Sequence, residues 1–339
     1  MEFNMDHWAK EIVSSSVRKA LPIMTYPGLE LSGKKIGDVI TSGKEQYEIM
    51  QVLAKKFPSA AAVTIMDLSV EAETFGSPVA FYEDDVPTVT SKIVSDQKTV
   101  EALAIPELEA KRCGVYLEAV RLAAEKINDR PTFGGMIGPY SLAGRLFDMT
   151  EIMMAIIMDP DTIHLLLEKC VKFLTAYALA FKKAGANGLI IAEPAAGLLS
   201  YDHCHTFSSF YVKQIVDAVQ DEEFFVILHN CGNTKHLVSS MLSTGAKGLH
   251  FGNAVKMSEI MPLIPEEYLA FGNIDPARSF RSGNPQTMFD QTWELLASTA
   301  NYKNFVLSSG CDVPPYTPIQ NIEAFYAALD KFNQTYFRK

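Results

Sequence analysis

The apolar run Val226-Ile227-Leu228 breaks into His229-Asn230-Cys231-Gly232, which sets an imidazole and a thiol two residues apart. In an extended segment such residues project to the same side, so both can reach one ion. A third soft donor, Cys311, stands in Ser-Ser-Gly-Cys-Asp-Val-Pro-Pro at 308–315. Thiolate and imidazole suit zinc, and a catalytic zinc commonly keeps three protein ligands and leaves a fourth position to water or substrate. By type and spacing alone, a plain structural reading stands beside this one. Cysteine is among the most buried residue types, and a histidine at a strand end commonly serves as a hydrogen-bonded structural residue. A second cluster, His203-Cys204-His205, precedes a helical segment where adjacent residues point apart, and it reads as surface or helix start. His7, His164, His236 and His250 show no partner spacing.

Oxygen and nitrogen side chains with chemical potential fall at the ends of other apolar runs: Asp67, Tyr140, Glu193, Asn273 and Asp275. Glu193 could fill a metal's fourth position or accept a thiol proton; it could equally be a rim carboxylate bonded to backbone. Asp67 could orient a substrate, or cap the helix that starts near Ser69-Val70. Tyr140, Asn273 and Asp275 are placed to contact substrate, although Asp275-Pro276 is also ordinary turn chemistry. Arg145 could hold a carboxylate or sulfonate, or be a solvated helix residue.

The runs that would position these residues number eight: 21–26, 61–66, 133–138, 188–193, 224–229, 247–252, 268–273 and 305–310. Amphipathic stretches such as 209–219 and 285–299 lie between them, with apolar residues recurring at three and four. Eight strands alternating with helices predict an α/β fold, a (β/α)8 TIM barrel, with a doubly wound open sheet as the alternative. Barrel active sites sit at the C-terminal ends of the strands, which is where the polar residues gather. The final helix is expected to start with Thr317 as N-cap and Pro318 at its first position, supported by Gln320. Residues 1–339 read as a single barrel domain, with 1–20 as an N-terminal helical extension covering the barrel bottom or helping to close its top.

Bulk properties restrict the partners. The formal net charge of −10, with no run of basic residues, argues against nucleic acid. No window approaches the ~20 apolar residues of a membrane span, and the N-terminus lacks the apolar core of a secretory signal, so a cytoplasmic location is expected. Five scattered cysteines do not suit a disulfide framework and predict free or metal-bound thiols.

Several stretches together carry a resemblance: His-Asn-Cys-Gly at 229–232, Phe-Gly-Asn-Ile-Asp-Pro at 271–276, and the segments 308–322, 66–76 and 135–145. The chain resembles the uroporphyrinogen decarboxylase superfamily, from about the second expected strand onward. More narrowly it is similar to the zinc-dependent methylcobalamin:thiol methyltransferases, such as those acting on coenzyme M. That resemblance implies a (β/α)8 barrel, a Zn²⁺ ion on His229, Cys231 and Cys311, and transfer of a methyl group to a Zn-bound thiolate. It also implies methylcobalamin supplied in trans by a transiently docked corrinoid protein, since the Asp-x-His-x-x-Gly corrinoid signature is missing from this chain.

The decarboxylases proper differ in ways that matter. Their tetrapyrrole substrate bears many carboxylates and calls for arginines, yet residues 22–31 contain none. They carry a His where this chain has Cys311, while Asp67 matches their catalytic Asp. Decarboxylation therefore stands as the runner-up. Also open are a zinc enzyme with another acceptor or donor, and a non-catalytic zinc- or corrinoid-binding protein.

Overall fold

The computed structural model describes residues 3–336. In chain order the strands are β1 (Ala62–Val63), the short antiparallel pair β2 (Val79–Ala80) and β3 (Thr88–Val89), then β4 (Thr132–Ile137), β5 (Gly188–Ala192), β6 (Phe225–Asn230), β7 (Gly248–Phe251), β8 (Leu269–Ile274) and β9 (Phe305–Ser309). Seven of them form one parallel sheet in the order β1-β4-β5-β6-β7-β8-β9, which follows the chain without reversal. A doubly wound sheet would reverse at a switch point. The order is instead that of a barrel wound in one sense.

The expected first strand, 21–26, is not a regular strand. It lies between β9 and β1 and closes the barrel, with an isolated ladder bridge from Ala20 to Leu307. Leu21 N donates to Leu307 O at 2.9 Å, and Ala60 N donates to Ala20 O at 2.8 Å on the other flank. Pro22 has no N–H to continue the ladder, and hydroxyls take over. Ile23 N donates to Ser309 Oγ at 3.1 Å, Ser308 Oγ donates to the Leu21 carbonyl at 2.7 Å, and Thr25 Oγ1 donates to Val63 O at 2.6 Å. The β1 strand is likewise shorter than the expected 61–66.

Strand parity separates two layers. Val63, Phe133, Ile190, Phe225, Ile227, Leu269, Phe271 and Val306 fill the barrel interior with Leu21 and Ile23. Leu189, Ile191, Val226, Leu228, Leu249, Ala270 and Leu307 face the surrounding helices. The helix Met5–Ser14 packs its buried side against the lower layer of the barrel interior. Its buried stripe, Met5, Trp8 and Ile12, repeats at three and four, and Asn4 caps it by accepting from His7 N at 2.8 Å. The Trp8 ring meets Phe133 and Phe225, the lowest inward residues of β4 and β6, at centroid distances of 5.7 and 5.4 Å.

Among the outer helices, the stretch expected at 209–219 begins earlier, as Tyr201–Cys204, passes through a π turn at His205–Ser209 and continues as Phe210–Val219. Pro285–Ser298 forms as expected, capped by Asn284. The last helix starts at Ile319, and the Thr317 hydroxyl donates to the Pro314 carbonyl at 2.8 Å instead of capping it. Among the described residues no helix is long and apolar enough to cross a membrane.

Candidate metal centre

The inward stripe of β6 runs Phe225, Ile227, His229 and then Cys231 just past the strand end. The apolar filling of the barrel thus gives way to an imidazole and a thiol at the C-terminal mouth. Cys311 follows β9 at the same level. His229 Nε2 lies 2.9 Å from Cys231 Sγ, the two sulfurs are 3.7 Å apart, and all three ligand atoms lie within 4.8 Å of one another. Zn–S bonds of ≈ 2.3 Å at a tetrahedral angle set two sulfurs about 3.8 Å apart, so the cysteines already stand at the edge length zinc requires. A Zn–N bond of ≈ 2.0–2.1 Å would set His229 Nε2 about 3.6 Å from either sulfur, so that contact must open by roughly 0.6 Å on binding.

Backbone shape holds Cys231 in place. Gly232 has φ 82°, a left-handed conformation that turns the chain away immediately after the thiol. A Cβ added at Gly197 would stand 1.9 Å from the Cys231 carbonyl, so the loop after β5 can pass there only as glycine. The thiols influence each other. The neighbouring Cys231 thiol and His229 drive Cys311 well below the usual thiol range. Cys231 is pushed well above that range by Cys311 and by burial.

Behind the triad, His229 Nδ1 lies 2.7 Å from His250 Nδ1, and His250 Nε2 lies 2.9 Å from Ser308 Oγ. His250 sits directly opposite His229 in the β6–β7 register. Burial, and then the neighbouring His229, hold its pKa well below the usual histidine value. Chain spacing offers His250 no partner; the structure gives it one, a lateral neighbour on the adjacent strand.

The other residues expected at the site are placed differently from the triad. Glu193 continues the outward parity of Leu189 and Ile191. Its carboxylate accepts from Ser141 N at 3.2 Å and Ser208 Oγ at 2.8 Å, and it does not join the three ligand atoms. Its backbone N–H donates to His229 O at 2.8 Å, and burial pushes its carboxyl up to about 7. Asp67 has both oxygens occupied: Oδ1 takes Ser69 N and Oγ at 2.9 and 2.6 Å, and Oδ2 takes Arg112 Nη1 and, at 3.0 Å, Tyr116 OH. The helix after it, Val70–Phe75, has Ser69 rather than Asp67 as its N-cap residue. Asn273 Nδ2 bonds the carbonyls of Gly252 and Val255 at 2.9 and 2.7 Å, so its amide ties down the loop after β7. Asp275 behaves as a turn residue, accepting from Ala277 N and Arg278 N at 2.9 and 2.8 Å.

Tyr140 is fully buried, and no described residue pairs with its hydroxyl. Its helix, Pro139–Phe147, also carries Arg145. Arg145 is half-buried with no hydrogen bond or ion pair among the described residues, although Asp67 and Glu71 lie near enough to act on its charge. His203, Cys204 and His205 form no ligand set: Cys204 is buried beside Ser240, at 3.7 Å, while the two histidines are half-buried or exposed.

Sequence reasoning missed Arg112, which stands at the start of the helix Cys113–Lys126 and links Asp67 to Glu73. It also missed Asp312, half-buried beside Cys311, whose Oδ1 has no partner among the described residues and whose pKa burial drives well above the carboxylate range. The adjacency of Asp312 to a candidate ligand was the only available signal for it.

Residues 16–332 match the family pattern described as uroporphyrinogen decarboxylase (URO-D). The chain belongs to that family. Within it, the chain is similar to the methylcobamide:CoM methyltransferase MtbA of Methanosarcina acetivorans, 30% identical over 270 residues, which are 76% of this chain and 75% of that protein. It is also similar to the methylcobamide:CoM methyltransferase MtaA of Methanosarcina barkeri, 29% identical over 293 residues, 84% of this chain and 82% of that one. The uroporphyrinogen decarboxylase of Salmonella paratyphi B is 25% identical over 293 residues, 83% and 81% of the two chains. Among solved structures, a methyltransferase from Methanosarcina mazei matches with TM-score 0.87 at 23% identity, covering 98% of this chain and 99% of that one. A B12-independent methionine synthase from Shewanella sp. W3-18-1 matches with TM-score 0.59 at 12% identity, covering 94% and 96%. At these identities the structural likenesses speak for the family's barrel fold alone.

Proposed function

We propose that this family member is a zinc-dependent methyltransferase that moves a methyl group from a corrinoid to a thiol, with His229, Cys231 and Cys311 as the metal ligands. The observation that carries the reading is the convergence of one imidazole nitrogen and two sulfurs at the C-terminal mouth, with no fourth His, Cys, Asp or Glu joining them among the described residues. A structural zinc normally has four protein ligands, whereas a catalytic one keeps a position open. Bound there, zinc would supply a Lewis acid that lowers the acceptor thiol's pKa from about 8.5 and so holds it as thiolate at neutral pH. In the transfer the acceptor's S–C bond forms, the cobalt–carbon bond breaks, and the corrinoid keeps the electron pair of that bond. The relatives' names support methylcobamide as donor and CoM as acceptor.

The chain's own residues have distinct parts in this scheme. Asp67 and Glu193 act as braces: Asp67 fixes Arg112 and Tyr116, and Glu193 ties the helix Pro139–Phe147 and Ser208 to the ligand strand. Asn273 and Asp275 shape the loops on the far side of the mouth. Arg145, half-buried and without a hydrogen bond or ion pair among the described residues, would receive the anionic end of the acceptor, with Tyr140 packed beneath on the same helix. The barrel with its basal helix works as one unit, and a corrinoid carrier protein docks transiently over the mouth to present the methyl group from outside. Decarboxylation of a polycarboxylate tetrapyrrole is disfavoured, because residues 22–31 contain no arginine and Arg112 is engaged by Asp67 and Glu73.

Methyl transfer from free methylcobalamin to coenzyme M, to homocysteine and to the uncharged 2-mercaptoethanol tests this reading. Zinc-dependent methylation of a thiol is expected. For Arg145→Gln, KM for coenzyme M should rise roughly 10–100-fold, the cost of a lost charged hydrogen bond, with little change for 2-mercaptoethanol. Absence of thiol methylation by the zinc-loaded protein with any of these acceptors would reject the activity.

A further inference from the structure

The hydrogen bonds behind the triad have a direction. His229 Nδ1 meets His250 Nδ1 at 2.7 Å, His250 Nε2 meets Ser308 Oγ at 2.9 Å, and Ser308 Oγ meets the Leu21 carbonyl at 2.7 Å. A carbonyl oxygen has no proton to give, so the Ser308 hydroxyl hydrogen must point at Leu21. The Ser308 oxygen therefore faces His250 with a lone pair, and His250 Nε2 must carry a proton. His250 is 1% exposed, stacks on Phe271 and forms no ion pair with a carboxylate among the described residues, so a second proton on it would be a buried charge without a counter-charge there. The ring is neutral, and its Nδ1 is a lone pair. Two lone pairs cannot face each other at 2.7 Å, so the proton between the rings belongs to His229 Nδ1. What remains on His229 Nε2 is a lone pair, 2.9 Å from Cys231 Sγ.

We propose that His250 and Ser308 are positioning residues that lock His229 in the Nδ1–H tautomer, so that the Leu21 carbonyl, acting through three hydrogen bonds, dictates which ring nitrogen is offered to the metal. Metal-ligating histidines generally donate their other N–H to an acceptor. Here the acceptor is a second histidine, which could donate or accept at the same atom. His250 alone would leave the tautomer of His229 undecided; Ser308 and the carbonyl remove the ambiguity. Leu21 belongs to the segment that closes the barrel between β9 and β1, so closure and ligand readiness are joined in one chain of bonds.

The inference rests on His229, Cys231 and Cys311 being zinc ligands, and the experiment separates the two claims. Zinc affinity is measured by competition with a chromogenic chelator, and the His229 tautomer by ¹⁵N NMR of the zinc-free protein, for wild type, His250→Leu, His250→Gln and Ser308→Ala. Wild type should bind zinc and show an unprotonated Nε2 at His229. Loss of the acceptor behind the ligand in His250→Leu should weaken zinc roughly 10–100-fold and populate the Nε2–H tautomer. His250→Gln can accept from His229 with its carbonyl and donate to Ser308 with its amide, so it should restore the wild-type tautomer and most of the affinity. Should His250→Leu fail to fold by circular dichroism, Ser308→Ala carries the test, with mixed tautomers and several-fold weaker zinc expected. Wild-type affinity and tautomer in His250→Leu, or in Ser308→Ala where that variant carries the test, would overturn the lock while leaving the metal centre standing. Failure of wild type itself to bind zinc would remove the centre and the lock together.

Discussion

Two arcs of the same barrel mouth handle their reactive groups in opposite ways. Along β6 and β9, His229, Cys231 and Cys311 turn one nitrogen and two sulfurs toward a common point and find few partners other than each other. Along β1 and β5, Asp67 and Glu193 are buried, and both carboxylates are taken up by hydrogen bonds from serines, with Arg112 and Tyr116 added at Asp67. A ligand set must leave lone pairs unspent, whereas a brace uses them. Polar residues at strand ends are therefore not equivalent, and the bonds already made decide which ones can react.

Substitutions should divide along this line, and the largest effect belongs to the ligands. Cys231→Ser or Cys311→Ser should lower zinc affinity on the order of 10³-fold, since the total zinc binding energy is divided over few bonds. Isothermal titration would measure that loss, and the fold should survive by circular dichroism. Retained affinity would put the metal elsewhere.

At the other arc, Asp67→Asn should leave zinc binding within a few-fold of wild type but destabilise the protein by roughly 3 kcal/mol in urea unfolding. The change strips a buried Arg112 of one of its two carboxylates. A loss of thiol methylation out of proportion to the loss of stability would return Asp67 to a catalytic role.

Glu193 gives the smallest and most diagnostic effect. Its carboxyl titrates near 7 in the fold and near 4.5 in the unfolded chain. As pH rises through that window the unfolded state loses its proton first, so this group's contribution to stability falls between about pH 4.5 and 7 and is level above. Glu193→Gln should remove the decline and gain about 1–3 kcal/mol at about pH 8 relative to wild type, with no gain near pH 4. Glu71, also pushed up to about 7 by burial, should keep a similar slope of its own in the variant. If Glu193→Gln instead slows turnover roughly a hundredfold or more, Glu193 is a proton carrier rather than a brace.

Much of this arrangement is legible in the chain. The apolar runs locate seven of the eight barrel segments within a residue or two, apart from the shortened β1, because a parallel strand buried on both faces needs a nearly continuous Val/Ile/Leu stretch. The eighth, 21–26, is present in space but not as a strand, because Pro22 interrupts the ladder and Ser308, Ser309 and Thr25 complete it with side chains. Such substitutions of hydroxyl for backbone leave no periodic trace. His229 and Cys231 are visible because they stand two residues apart where one strand ends. His250 is not, because its relation to His229 is set by lateral register between β6 and β7 and by nothing in their separation along the chain. Arg112 escapes for the same reason, meeting Asp67 only after the chain folds back.

The most direct test of the metal centre is the zinc-edge X-ray absorption spectrum of the purified protein before and after addition of coenzyme M. One zinc per chain with two sulfurs and one imidazole nitrogen, rising to three sulfurs with the thiol, is the expected result. A zinc with four protein ligands that ignores the thiol, or no zinc at all, would contradict an open thiol-activating site.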